Sequence, residues 1–324
     1  MKMLHDTAND VHPPLYYVLL MLLFRIFGDY GWVYHLSAII PYGILLIISC
    51  TLFYKEFGKE TALLFNVFIS FLTYSVFFNI EVRMYSLSAV ELVMAFFGYY
   101  MIFKDSERIS GYVIFTVSSI AAAYTHYYCI VSVSVFYLAL LIMFLKKKML
   151  LKRLLAVYVL TIASYLPWVV IGLSGSVKRT ADNFWMTDIP SFQSTFLSIF
   201  SAGNLFYSLI MFITTLIAVT LLVVESVENS FLIPCVGSAI FSIIAGHIAS
   251  AILGPVFQNK YIYAASILYI LGLCIIISKF RMKTLYTAII LCATLILCIP
   301  SFRDTIATEK SKNSRISATL ESIA

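Results

Sequence analysis

Four short stretches of this chain set charged and hydrogen-bonding side chains beside long apolar runs. "NDVHPPLYY" carries Asp10 and His12, with Asp6 just ahead; "NIEVRMYSL" carries Glu81, Arg83 and Tyr85. "AAAYTHYYCIV" carries His126 among tyrosines that include Tyr127, and "GPVFQNKYIYAAS" carries Lys260 and Tyr261. These are residue types for handling a phosphate. A guanidinium grips it through parallel hydrogen bonds, a lysine adds a second positive charge, and tyrosine hydroxyls donate. Histidine supplies a donor that titrates near neutrality. Each stretch also has a plainer reading. An arginine beside a tyrosine anchors a helix end at a bilayer surface, tyrosines form interfacial belts, and a lysine at a helix start does the same. Glu81 is suited either to orienting Arg83 or to binding a sugar, and spacing does not separate the two.

The elements that position these residues follow from composition. Of 324 residues, 61% are hydrophobic and 12% charged, with a mean hydropathy of +0.95. A soluble domain of this size does not have that balance. Continuous apolar runs, without strand-like alternation, exclude a membrane barrel and predict an all-α, polytopic transmembrane bundle. Spanning helices are expected at 33–54, 61–80, 84–104, 110–126, 127–145, 152–172, 203–225, 230–253, 260–279 and 283–300, about ten in all. Residues 13–28, with Arg25 inside a short apolar run, read as an interfacial helix. Residues 1–300 form one transmembrane domain, and the Ser, Thr and Lys rich stretch 301–324 reads as a polar flexible tail.

The net charge of +6 comes from basic clusters between apolar helices, which sets orientation and argues against a nucleic-acid partner. Lys55, Lys59, Lys104, Arg108, Lys146 to Lys148, Lys152, Arg153, Lys279, Arg281 and Lys283 all fall on one face when helices alternate direction. That face is then cytoplasmic, and the four chemical stretches lie outside, on a cell membrane crossed many times. The long connection 173–202 lands there too, carrying Lys178, Arg179, Asp182 and Trp185. That mixture suits a lid over a polar substrate, with a plain connecting loop as the alternative. The six cysteines have no ligand-like spacing and read as small apolar fillers, and no close ligand spacing joins His12, His126 and the nearby carboxylates, so no metal is expected. Glu91 and His247 lie inside apolar helices, where each is read as bonding a neighbouring helix or as part of a relay.

In order along the chain, "DVHPPLYY", "EVRMYSL", "THYY", "YLPW", a loop with "FW" and "IPS", and "NKYIY" resemble the membrane glycosyltransferases of the C-type (GT-C) superfamily. The nearest branch resembles bacterial relatives of protein O-mannosyltransferases and of the aminoarabinose transferase acting on lipid A. The resemblance spans about residues 10 to 280. It implies transfer of a sugar from a polyprenyl-phosphate carrier to a lipid, glycan or protein acceptor at the outer face. It further implies donor-phosphate binding by Arg83, Lys260, Tyr85 and Tyr261, and a pocket bordered by His12, Glu81, His126 and Tyr127. The donor is itself a lipid-linked substrate, and no cofactor is implied.

The chain departs from that pattern in two ways. Relatives place a further helix and an acidic pair ahead of the proline motif, whereas here Met1 comes directly before it. The expectation is a fragment of a longer protein, the alternative being a short form that has lost its base. Asp10 and Asp6 are the substitute candidates for the catalytic carboxylate. Lys260 stands where relatives commonly have arginine, which keeps the charge and loses the planar fork. The rival functions are an inactive or partner-dependent homologue and a transporter of lipid-linked saccharides.

Overall fold

The computed structural model describes residues 12–149, 151–170, 188–200, 205–224, 230–280 and 282–323, with side chains in helices left undescribed at 217–219, 221–224, 309 and 311–323. Among them there is no strand. The helices are α1 (Leu15–Phe27), α2 (Gly31–Ile48, continued to Phe57 through a π-turn), α3 (Lys59–Phe71), α4 (Thr73–Ile80) and α5 (Tyr85–Lys104). There follow α6 (Ile109–Thr125), α7 (Tyr127–Lys146), α8 (Lys152–Trp168), α9 (Phe192–Ser198) and α10 (Leu205–Val224). The chain continues as α11 (Leu232–Leu253), a 3-10 turn (Asn259–Ile262), α12 (Tyr263–Ser278) and α13 (Lys283–Ile323).

A helix apolar on every side is either lipid-facing or enclosed by other helices, and α12 is enclosed. Its sequence, YAASILYILGLCIIIS, is buried at every position. Around it pack α3, α5, α10, α11 and α13. By contrast α8 turns Leu155, Val159, Leu160, Ile162 and Leu166 outward, an apolar face fit for lipid. Close approach of backbones is concentrated between α5 and α6, where Gly98 sits against Phe115.

Among the described residues six helices are long and apolar enough to cross a membrane, or seven if a bent pair counts as one span. This is a multi-pass membrane protein with fewer such spans than the ten expected from sequence. A helix or bent pair does lie in each of the ten stretches. The second stretch breaks at Leu72, where α3 and α4 meet at 72°. Helices α6 and α8 have 17 residues each, about 26 Å at 1.5 Å per residue against a hydrocarbon core of about 30 Å. In α10 the described apolar stretch is Leu205–Leu216.

Residues 301–323, the stretch expected from its polarity to form a flexible tail, continue α13 as helix. Hydrogen bonds in the helix are local and indifferent to side-chain polarity, so a polar stretch without Gly or Pro propagates what the apolar turn before it began. The short helix expected at 13–28 is α1. It begins after Pro14 and ends at Gly28, whose φ of 84° favours glycine.

The bundle has two chemically distinct ends. At one, Lys104 pairs with Glu56 (3.4 Å), Arg153 with Glu107 (2.6 Å) and Lys283 with Glu60 (3.9 Å). Of these only Arg153–Glu107 is exposed on both sides, and such a pair contributes little to stability, whereas Glu60 is buried. At the other end lie the starts of α5, α7 and α12 and the ends of α4 and α6, with the sequence-selected residues on them.

Candidate functional site

The site is assembled where helices end. Between α4 and α5 the chain makes a tight turn in which the Arg83 amide donates to the Glu81 carbonyl at 2.7 Å. That turn leaves Arg83 exposed and Tyr85 buried at the start of α5. Between α6 and α7 there is one residue, His126, in extended conformation (φ −153°, ψ 133°). Its Nδ1 accepts the backbone N–H of Tyr128 at 3.2 Å, capping α7. In the neutral ring the proton is therefore on Nε2. The 3-10 turn ahead of α12 brings in Lys260 and Tyr261.

Four rings surround the His126 imidazole, which is 4% exposed. Their centroids lie at 5.6 Å (Tyr261), 6.0 Å (His12), 6.0 Å (Tyr128) and 6.2 Å (Tyr85). Tyr128 and Tyr261 stack at 5.4 Å, and Lys260 Nζ lies 5.6 Å from the Tyr261 ring. The Arg83 charge is close enough to act on Tyr16, Tyr85, Tyr261 and Lys260. Glu81 acts on Tyr16, Tyr85 and Lys260. Together they make a cluster of two cations, one carboxylate and several phenols at this end of the bundle. An anion would find two fixed positive charges and several O–H or N–H donors there.

Long-range hydrogen bonds hold the pieces in register. Tyr74 Oη donates to the Asn259 carbonyl (2.6 Å) and Thr195 Oγ1 to Asn259 Oδ1 (2.7 Å). Tyr263 Oη donates to Asn79 Oδ1 (2.6 Å), and Asn79 Nδ2 donates in turn to the Ile69 carbonyl (3.1 Å). Tyr16 and Ser37 share a hydroxyl contact of 2.9 Å that ties α1 to α2. Buried polar groups joined this way specify a unique arrangement.

Of the residues selected from sequence, His12, Glu81, Arg83, Tyr85, His126, Lys260 and Tyr261 come together at this end. Tyr127 borders it from the other side of the junction, where its hydroxyl accepts from Trp168 Nε1 at 3.3 Å. Asp6, Asp10, Lys178, Arg179, Asp182 and Trp185 lie outside the described residues. The sequence alone does not select Tyr128, Asn79 or Asn259, and marks Tyr16 only as an interfacial anchor of the first helix. The "YTHYY" run contains Tyr128, but adjacent helical residues point about 100° apart and only packing chooses between them. His247 Nδ1 lies 2.8 Å from the Ile243 carbonyl of its own helix and Nε2 lies 3.0 Å from the Pro190 carbonyl ahead of α9; a neutral ring has one N–H and donates to one of the two. Among the described residues no three His, Cys, Asp or Glu side chains gather as a metal site requires.

Burial first, and then the positive charges of His12 and Lys260, push the His126 imidazole down to about 3. The unfolded value is ~6.5, so between those limits the unfolded chain binds the extra proton. Stability is therefore whole above ~6.5 and declines as pH falls toward the folded value, at about 1.4 kcal/mol per pH unit from this group. His126→Asn retains a capping acceptor and cannot titrate. In detergent melts from pH 7 to 4, the variant is expected to lose less stability than the parent; parallel curves would refute the assignment.

The chain matches no protein-family model, no curated protein and no solved structure.

Proposed function

We propose that this protein is a membrane glycosyltransferase of the GT-C type, moving a sugar from a polyprenyl-phosphate donor to an acceptor hydroxyl outside the cytoplasm. The observation that carries the reading is the convergence of Arg83, Lys260, Tyr85, Tyr261 and His126 at the bundle end opposite the ion-paired basic end. Breaking the glycosidic bond leaves the negative charge on the carrier phosphate. Arg83 and Lys260 stabilise that charge, with Arg83 as the bidentate partner and Lys260 as a point charge. Glu81 orients the two cations or contacts the sugar. The acceptor proton goes to a carboxylate, for which Asp10 and Asp6 are the candidates.

A second reading has one observation in its favour. The 72° break between α3 and α4 is the kind of discontinuous helix found in transporters, which would make the cluster a port for a lipid-linked saccharide. The two differ in product. Proteoliposomes given a polyprenyl-phosphate sugar and a hydroxyl acceptor should release polyprenyl phosphate under the transferase reading. Intact donor appearing in the opposite leaflet would instead favour the transporter.

Sidedness has its own test. The excess of Lys and Arg at the ion-paired end directs it to the cytoplasm. A reporter fused after Lys148 should register as cytoplasmic and one after Arg179 as external. The reverse pattern would put the cluster on the side where the proposed acceptors are not.

A further inference from the structure

Glu91 stands on α5, six residues below Tyr85, about 9 Å down the axis. It is 8% exposed, and no charged group lies close enough to act on it. Its Oε1 is 2.9 Å from Thr125 Oγ1, on the last residue of α6. Its Oε2 is buried with no hydrogen-bond partner among the described residues. Thr125 Oγ1 also lies 3.0 Å from the Ala121 carbonyl. From α7 the neighbour is the Cys129 thiol, and α12 has no charged residue.

Counting protons decides what these contacts mean. A threonine hydroxyl has one proton, and in a helix it ordinarily goes to the carbonyl four residues back, here Ala121. The 2.9 Å contact is then a hydrogen bond only if Glu91 is the donor, which requires the carboxylic acid. The chain reads Glu91 O–H to Thr125 Oγ1, and Thr125 O–H to Ala121 O, with Oε2 left as an uncharged carbonyl oxygen. A carboxylate would instead have one competing donor for a full charge in an apolar bundle, an expensive state.

We propose that Glu91 holds a proton at neutral pH and, as a neutral acid, positions the candidate site by tying the start of α5, which presents Arg83 and Tyr85, to the end of α6, which presents His126. The link to ligand binding rests on the phosphate-binding reading above; the protonation rests on geometry alone.

Infrared spectra of the protein in lipid nanodiscs at neutral pH should contain a carboxylic-acid C=O band that shifts in D2O and is missing from Glu91→Gln. Identical spectra for the two would overturn the protonation. Nitrogen-15 spectra of the imidazoles, with His126 assigned through His126→Asn, test positioning without any ligand. Glu91→Gln, whose amide can donate to Thr125, should leave the His126 signals in place, while Glu91→Leu and Thr125→Val should displace them. Unmoved signals in both would overturn the positioning role, and Thr125→Val keeps the test open if Glu91→Leu does not fold. Binding of a short-chain polyprenyl phosphate should weaken at least about tenfold in those two variants and stay near the parent's in Glu91→Gln. No binding by the parent itself would sink the phosphate reading and leave the infrared and nitrogen results to decide Glu91.

Discussion

Arg83→Ala is expected to lower transfer by at least about a hundredfold, the scale seen when one donor aimed at developing charge is removed, while insertion and melting stay close to the parent's. The second half of that expectation follows from exposure. Arg83 is exposed in the turn before α5, so removing its side chain opens no cavity and strands no buried partner. What it does remove is a positive charge that acts on Tyr85, Tyr261 and Lys260. Arg83→Lys should recover only part of the loss, because an ammonium lacks the planar fork that meets two phosphate oxygens at once. The measurement is release of polyprenyl phosphate in proteoliposomes containing equal amounts of each protein. Near-normal turnover in Arg83→Ala would take Arg83 out of the mechanism and return it to the anchoring role.

Gly98→Ala is expected to have the largest effect on stability. A Cβ on Gly98 would lie 2.5 Å from the Phe115 amide nitrogen and 2.8 Å from its Cα. Both are backbone atoms, so no rotamer change relieves the clash, and α5 must move away from α6. Gly111 repeats the theme from the other helix, its Cβ position 3.1 Å from Ile102 and Met101 side-chain atoms. Small residues at a crossing let helices in a membrane gain van der Waals contact that lipid would otherwise supply. Overpacking of this kind costs about 1–3 kcal/mol, occasionally more, and Gly98→Leu should prevent assembly. Gly43→Ala is the control, since nothing lies within 4 Å of its added Cβ and helix propensity favours alanine by up to about 1 kcal/mol. Melting temperatures in one detergent compare all three. A Gly98→Ala protein as stable as Gly43→Ala would show that the α5–α6 contact is looser than described.

The α5–α6 contact bears on the site as well as on stability. The two helices that Gly98 brings together are the ones whose ends present Tyr85 and His126, and Glu91 with Thr125 joins them again nearer the site. A shift at Gly98 would therefore be felt at the imidazole.

What the amino-acid sequence determined by itself was local: all-helical architecture, the stretches that become helices, and the charge asymmetry between ends. Apolar runs and basic clusters are properties of neighbouring residues, so no folded contact is needed to read them. Even the choice of Arg83, His126, Lys260 and Tyr261 was legible, because polar residues beside apolar runs are conspicuous against this composition. The tertiary structure decided the rest. It decided that the second apolar stretch bends at Leu72 instead of running straight, and that α12 is the enclosed helix although other helices are just as apolar. It turned Tyr128 toward Tyr261 and Tyr127 toward Trp168. It also set Glu91 against Thr125, 34 residues away in sequence. Each of these depends on which helix lies beside which, and that is fixed by complementary packing and long-range hydrogen bonds between residues that carry no mark of each other in the chain.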